Sequence, residues 1–369
     1  MKVTLVSNPP DDASGTGNYA AQLAAALGTA IDVDRISVPV DTLSPLPFLS
    51  AVMDSSSGNA DAVHVQFDYV VFGPRGAYAF LFFPLLYVAS RVRSIPVVVT
   101  AHEALNGELV SPPLSPVKRG YVRALNRTIA AAADHVVFLS EQAEDRFTAS
   151  LSIDSATVIP HGVAVDPPMD GDPAEAKRRF GFEPDDTVVV EPGYVSPRKG
   201  TDVFVSLAER CPEYEFLVAG GPPREKHRPF FDELRDRAPD NVTLTDRLPE
   251  ETFHAAFAAA DAALLPYREV AQTGVVNPVN QSGVFNVCAG HTVPVAASDC
   301  PRFRAVNGRW DCPRLFDPDD LEDVERALRT ILEDGEAERL RAALSEYARA
   351  NSFERVAEEH VAIYGEVRG

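Results

Sequence analysis

Short runs of β-branched and other apolar residues alternate with longer, alanine-rich segments along most of the chain. Runs of continuous apolar character suit strands covered on both faces, and the segments between them place apolar residues at helical spacing. In the first half this predicts strands over Lys2 to Val6, Ala62 to Gln66, Pro96 to Thr100, His135 to Leu139 and Thr157 to Pro160, with helices such as Tyr19 to Leu27 and Lys118 to Ala133 between them. Residues 164–186 (AVDPPMDGDPAEAKRRFGFEPDD) interrupt the cycle; their Pro, Asp and Gly content predicts a linker with a short helix inside it. The cycle then resumes, with strands predicted over Thr187 to Glu191, Glu215 to Ala219, Val242 to Leu244, Ala262 to Leu265 and Val293 to Ala296. Such βα repetition makes a parallel sheet between helical layers, so the fold class is α/β with two doubly wound halves. Helical segments run from Leu321 onward, and the last, SFERVAEEHVAIYGEVRG, opens on Ser352 as N-cap, with Arg355 where a capping box would have Glu.

A length of 369 residues fits two domains or one large one. Charge changes the picture more: 54 acidic residues against 34 Lys plus Arg leave a formal net of −20. That argues against a general nucleic-acid or anionic-membrane surface and leaves only local basic sites open. Lysine occurs five times (Lys2, Lys118, Lys177, Lys199, Lys226), and the profile resembles proteins of salt-adapted archaea. Cys211, Cys288, Cys300 and Cys312 form no CxxC pair and are too few for a disulfide framework, which predicts reduced, mostly buried thiols. The first residues, MKVTLVSNPPDD, turn polar too soon for a signal-peptide core, so a cytoplasmic protein is expected. The longest apolar run, Ala77 to Ala89 (AYAFLFFPLLYVA), contains Pro84 and falls short of the roughly 18 residues of a spanning helix. It reads as a helix buried against a sheet, with a helix lying on a lipid surface as the alternative.

Ligands of doubly wound sheets bind beyond the carboxyl ends of the strands, and two facing halves would place the main site in a cleft between them. After the first strand, Gly15, Thr16 and Gly17 precede a helix, where backbone amides and the helix N-terminus favour an anion such as phosphate; a turn that is tight only for packing is the alternative. It is neither a full GxGxxG fingerprint nor a P-loop. In the second half, TVVVEPGYVSPRKG sets Arg198 and Lys199 on a strand-to-helix loop, a bidentate fork and a point charge that both suit a diphosphate. Three histidines lie in or after strands: His64, His102 in TAHE and His161 in VIPHGV, of which His102 has the best claim to catalysis. The absence of HExxH, HxH or a Cys/His cluster predicts no protein-held catalytic metal.

These residues carry a resemblance. SGTGNYAAQL, the TAHE strand end, VIPHGV, GYVSPRKG, VTLTDRLPEETFHAAFAAADAALLPYRE, AGHTVPVAASD and the SFERVAEEH tail resemble, in order and over nearly the whole chain, the retaining family 4 glycosyltransferases of the GT-B fold. The resemblance implies two Rossmann-like domains facing each other across a cleft: an N-terminal acceptor domain (1–165), a C-terminal nucleotide-sugar domain (166–350) and a final helix (351–369) returning to the first. It implies that Lys199 holds the donor diphosphate with Arg198, that amides of Gly15 to Gly17 also face the phosphates, and that His102 lies beside the transferred sugar. No metal or tightly bound cofactor is implied. The expected partners are a UDP- or GDP-hexose donor and a lipid-linked glycan or polysaccharide acceptor, with peripheral association at the inner membrane face as a further expectation.

Two positions depart from the family pattern. Where Arg often follows the glycine of the GYVSPRKG loop, this chain has Tyr194, and Arg198 would substitute. Where many members carry a pair of glutamates that includes the ribose ligand, this chain has Asn277 and Phe285. The segment PYREVAQTGVVNPVNQSGVFNVCAG instead resembles a branch with a Ser-Gly pair opening the phosphate-facing helix; Ser282-Gly283 is favoured for it, and Thr273-Gly274 is the alternative. The missing glutamates keep two other readings open: a degenerate binding subunit for a partner glycosyltransferase, and another GT-B enzyme such as a sugar-nucleotide epimerase.

Overall fold

The computed structural model describes all residues except 11–14, 41, 58, 107–113, 150, 166, 168–171 and 269–280. The chain forms two compact units, one built on Met1–Gly162 with Asn351–Gly369, the other on Val163–Val270 with Ser282–Ala350.

The first unit holds a parallel six-stranded sheet of β1 (Lys2–Ser7), β2 (Asp32–Ser37), β3 (Ala62–Phe67), β4 (Val97–Ala101), β5 (His135–Phe138) and β6 (Ala156–Val158), in the order β2-β1-β3-β4-β5-β6. Its helices are α1 (Thr16–Leu27), α2 (Leu46–Ser57), α3 (Ala79–Arg93), α4 (Ser115–Ala132) and α5 (Glu141–Thr148). The step from β1 to β2 runs opposite to the steps from β2 through β5, so right-handed crossovers put α1 on one face and α2, α3 and α4 on the other. Phe48, Phe82, Phe83, Leu86, Leu125 and Ile129 of those three helices accordingly share one core.

The second unit repeats the plan with β7 (Val188–Pro192), β8 (Glu215–Ala219), β9 (Val242–Leu244), β10 (Ala262–Leu265), β11 (Val295–Ser298) and β12 (Arg314–Phe316), in the order β12-β11-β10-β7-β8-β9. Between and after them run α6 (Pro173–Arg179), α7 (Thr201–Arg210), α8 (Arg228–Arg237), α9 (Glu250–Ala259), α10 (Gly283–Gly290), α11 (Pro301–Trp310), α12 (Leu321–Leu332) and α13 (Glu336–Ala350). The last helix, α14 (Phe353–Arg368), returns to the first unit, where Phe353, Val356, Ala357 and Tyr364 pack with Tyr19, Leu23 and Leu27 of α1. Ser352 caps α14 by accepting the Arg355 N–H, as its place in the sequence predicts.

The two halves, the parallel sheets and the short helix inside 164–186 (α6) match the sequence reading, and all four cysteines are free and buried. Three elements escaped it. Strand β2 (DVDRIS) is a half-exposed edge strand whose polar outer positions hide it; α2 (LPFLSAVMDSSS) carries Pro and four serines; β12 has three residues. Strand β11 starts at Val295 rather than Val293, because Pro294 has no N–H for a ladder bond. The apolar run at Ala77 to Ala89 is indeed helical, but it is covered on one side only: Ala79, Phe82, Phe83 and Leu86 are buried while Leu81, Leu85 and Val88 are exposed.

Candidate functional site

In the second unit, the chain leaves β7, turns through residues 193–199 and enters α7 at Gly200, whose φ of 76° is left-handed. A Cβ at Gly200 would overlap the Pro266 carbonyl oxygen, so glycine is required for the loop to lie against the end of β10. That contact brings Lys199 to Tyr267. Nζ of Lys199 donates to Tyr267 Oη at 2.5 Å and sits 3.8 Å from the ring centroid. Tyr267 Oη lies 3.0 Å from Ser282 Oγ, which caps α10 by accepting the Phe285 N–H. A lysine, a phenol and a helix N-terminus are thus linked in one chain of hydrogen bonds, beyond the carboxyl ends of β7 and β10.

More cations gather there. Arg302, in the first turn of α11, lies 5.6 Å from the Tyr267 ring centroid. Burial, then the charges of Arg198 and Arg302, hold the Lys199 amine well below the ordinary lysine range. A neighbouring carboxyl, Glu191, is buried, and burial pushes it up to about 8 although Thr201 donates to it at 3.0 Å. At neutral pH it is therefore mostly protonated and does not cancel the positive charge. An anion placed beside Lys199 would restore its charged form and meet the partial positive charge of the α10 N-terminus.

In the first unit, Gly15 is the left-handed N-cap of α1, and a Cβ at Gly17 would overlap the Pro9 carbonyl, so close packing of the turn accounts for that glycine. Thr16 is buried, its hydroxyl 3.5 Å from Asp68. One turn into α1, the Tyr19 ring meets His102 edge-on at 4.9 Å and His161 at 4.7 Å. His102 follows β4 and is half-buried; its Nε2 lies 2.7 Å from Gln66 Oε1. The Gln66 amide nitrogen lies 3.0 Å from His64 Nε2, and His64 Nδ1 lies 2.6 Å from the Tyr364 hydroxyl. Burial first, then His161 and His360, lower the His102 imidazole to about 3, so it is neutral near pH 7.

Residues 31–162 match the glycosyl transferase 4-like domain and residues 187–334 the group 1 glycosyl transferases, together about three quarters of the chain. The chain belongs to the family 4-type glycosyltransferases of the GT-B fold. It is 27% identical over 281 residues to D-inositol 3-phosphate glycosyltransferase of Mycobacterium sp. strain JLS, a match covering 69% of this chain and 58% of that relative's length. It is 29% identical over 251 residues to phosphatidyl-myo-inositol mannosyltransferase of Mycolicibacterium smegmatis, covering 65% of this chain and 56% of the relative. Among solved structures, sucrose-phosphate synthase of Thermosynechococcus elongatus superimposes with a TM-score of 0.75 at 16% identity, covering 100% of this chain and 99% of that one. HepE of Anabaena in complex with UDP-glucose gives 0.73 at 13% identity, covering 99% and 100%.

In this family 4-type chain the structure joins Lys199 to Ser282 through Tyr267, with Gly283 opening α10. The alternative pair Thr273-Gly274, and Asn277, lie outside the described residues. Phe285 is core, packed against Phe303 and Tyr347. Next to Tyr194, where family members often have Arg, the Arg247 guanidinium lies 5.6 Å from the ring centroid and donates to the hydroxyl at 3.4 Å. The sequence reading missed Tyr267, Arg302 and Gln66. The PYR triplet pointed to Tyr267; Arg302 follows a strand in ASDCPRF, as a site residue should.

Proposed function

We propose that this protein is a retaining glycosyltransferase that transfers a hexose from a UDP- or GDP-sugar to a glycan or lipid-linked acceptor without a protein-held metal. The observation that carries the reading is the Lys199–Tyr267–Ser282 chain at the head of α10. One further negative charge develops on a nucleoside diphosphate as it leaves, and fixed cations and amides aimed at it lower the barrier without reorganising during the reaction. Lys199, Arg198, Arg302 and the α10 amides from Gly283 are assigned that task. His102, neutral and with a bare Nδ1, accepts a hydroxyl of the transferred sugar. Departure and attack occur on one face of the sugar, the leaving phosphate taking the acceptor proton, so no pair of catalytic carboxylates is needed. The curated relatives, whose names give inositol phosphate and phosphatidylinositol as acceptors, support an acceptor carrying a polyol ring.

The decisive experiment incubates the purified protein in molar KCl with a panel of UDP- and GDP-hexoses and follows release of the nucleoside diphosphate, beside calorimetric titration of UDP and GDP. One donor is expected to be consumed, and His102→Ala is expected to lose far more turnover than nucleotide affinity. Nucleotide binding with no donor consumed by wild type would replace the enzyme with a binding subunit. Equal loss of rate and affinity together with a lower melting temperature would make His102 structural.

A further inference from the structure

The connections that follow β1 to β5 leave the carboxyl edge of the first sheet. In sequence they hold six acidic residues, Asp11, Asp12, Asp41, Asp68, Glu103 and Glu108, against a single Lys or Arg, Arg75. Elsewhere in positions 1–162 the charges balance, with nine acidic residues and nine lysines and arginines. The acidic excess of this stretch is therefore gathered at one edge of its sheet, whereas charge carried only for hydration in salt would be spread over every face. Arg75 is exposed and lies against α4, its carbonyl accepting the Tyr121 hydroxyl at 2.9 Å.

Two of the six flank His102. Phe67 and Ala101 are register partners in β3 and β4, so Asp68 and His102 leave the sheet side by side, and the His102 N–H donates to the Phe67 carbonyl at 2.9 Å. Asp68 is 7% exposed. One of its carboxylate oxygens accepts the Val70 N–H at 2.9 Å, and the other lies 3.5 Å from the Thr16 hydroxyl at the start of α1, the helix whose Tyr19 ring meets His102. Glu103 follows His102 directly. Burial holds the Tyr69 hydroxyl above the ordinary tyrosine range, and the charges of Glu103 and Asp68 push it the same way, so both carboxylates bear on one spot. The place is set by His102; the carboxylates decide what can come near it.

We propose that the acceptor ring is an uncharged polyol and that Asp68 is a specificity-determining residue for it, accepting a ring hydroxyl beside His102 while its charge, with that of Glu103, excludes a phosphorylated ring. This rests on the transfer reading given above and deepens it. A carboxylate held in place suits a polyol, because the hydrogen bonds it accepts from hydroxyls are charge-assisted. A phosphate monoester brought to the same place meets like charge where water screens it poorly. The relatives' names give inositols that bear phosphate, so this chain keeps the polyol and departs from those relatives in the charge of its acceptor. The donor's own phosphates are a separate matter, since the cations assigned to them, Lys199, Arg198 and Arg302, belong to the second unit.

The test gives the full chain, with the donor it consumes, an equimolar mixture of methyl glucoside, methyl mannoside and myo-inositol with glucose 6-phosphate, mannose 6-phosphate and inositol 3-phosphate, and reads the glycosylated products by mass spectrometry. Product is expected on an uncharged ring, with kcat/KM at least about tenfold above that of its phosphorylated counterpart. Asp68→Asn keeps an oxygen for the Val70 N–H and should shift that ratio toward the phosphorylated ring by about tenfold; Glu103→Gln should shift it the same way by less. A merely structural Asp68 would instead lower both rates together with the melting temperature. Product on the phosphorylated rings at an equal or higher rate in wild type overturns the proposal, as does a ratio that neither substitution moves. Donor consumed with none of the rings glycosylated overturns it too. If Asp68→Asn does not fold, the wild-type ratio and Glu103→Gln decide. Donor left intact with every ring is the failure of the transfer reading itself, and it is seen before any ratio is measured.

Discussion

The Nε2 of His102 and the Oε1 of Gln66 are 2.7 Å apart, and that contact fixes which nitrogen of the imidazole carries its proton. Gln66 turns its amide nitrogen to His64, so its oxygen is the end that faces His102 and can only accept. His102 is therefore the Nε2–H tautomer, and Nδ1 keeps its lone pair. Removing the acceptor by Gln66→Leu should lower turnover by about tenfold to a hundredfold with little change in nucleotide affinity. Gln66→Glu puts a carboxylate where the amide was and favours the imidazolium, raising the His102 value from about 3 toward neutrality. The neutral ring is the competent one, so the acid limb of the pH–rate profile should move upward in that variant. An unmoved limb would separate Gln66 from the chemistry of His102.

Lys199→Ala should reduce turnover on the order of 100-fold, as loss of one preorganised charge at a leaving group typically does. The fold should not suffer: Arg198 and Arg302 repel the lysine and burial opposes its charge, so the melting temperature should hold or rise. Tyr267→Phe keeps the ring and cuts the link between Lys199 and Ser282, and should give a smaller loss. Near wild-type rates in Lys199→Ala would remove the lysine from the mechanism.

Glu191 supplies a stability signature. Its carboxyl titrates near 8 in the folded protein against 4.5 ordinarily, so between those values the folded state binds the extra proton and stability falls as pH rises. Glu191→Gln should be neutral at pH 4 and should raise the melting temperature by a few degrees at pH 8. Thermal melts across that range check the sign, and a Gln variant less stable at pH 8 would show Glu191 to be ionised and paired.

Salt should stabilise the protein. A formal charge of −20 repels itself in dilute buffer, and screening relieves that repulsion, so melting temperature should climb from low salt to molar KCl. A flat profile would make the acidic surface incidental.

Much of the fold was legible because buried parallel strands such as VVVTA and AALL are continuous apolar runs, a pattern few other structures require. DVDRIS was not, since an edge strand keeps its polar side in water. For the candidate site, residues that announce themselves by charge or by a turn, Lys199, His102 and Gly15 to Gly17, could be nominated from the sequence. Gln66 could not: a polar residue inside the apolar run AVHVQF carries no sign of its partner until β3 and β4 are set side by side. Tyr267 and Ser282 are 15 residues apart in sequence, and only the placement of α10 against β10 makes them neighbours.

The return of α14 to the first unit also orders events in time. Tyr364, which ends the hydrogen-bonded series from His102, and Phe353, which packs against Tyr19, are made after the whole second unit. At about 5–20 residues per second of synthesis, the first sheet waits on the order of tens of seconds with the apolar face of α1 uncovered. During that wait His64 lacks its Tyr364 partner and the unit has only part of its core. The protein therefore acquires a finished first unit last, and substitutions in residues 353–364 should show themselves as failures of maturation in the cell before they show themselves as defects in a purified enzyme.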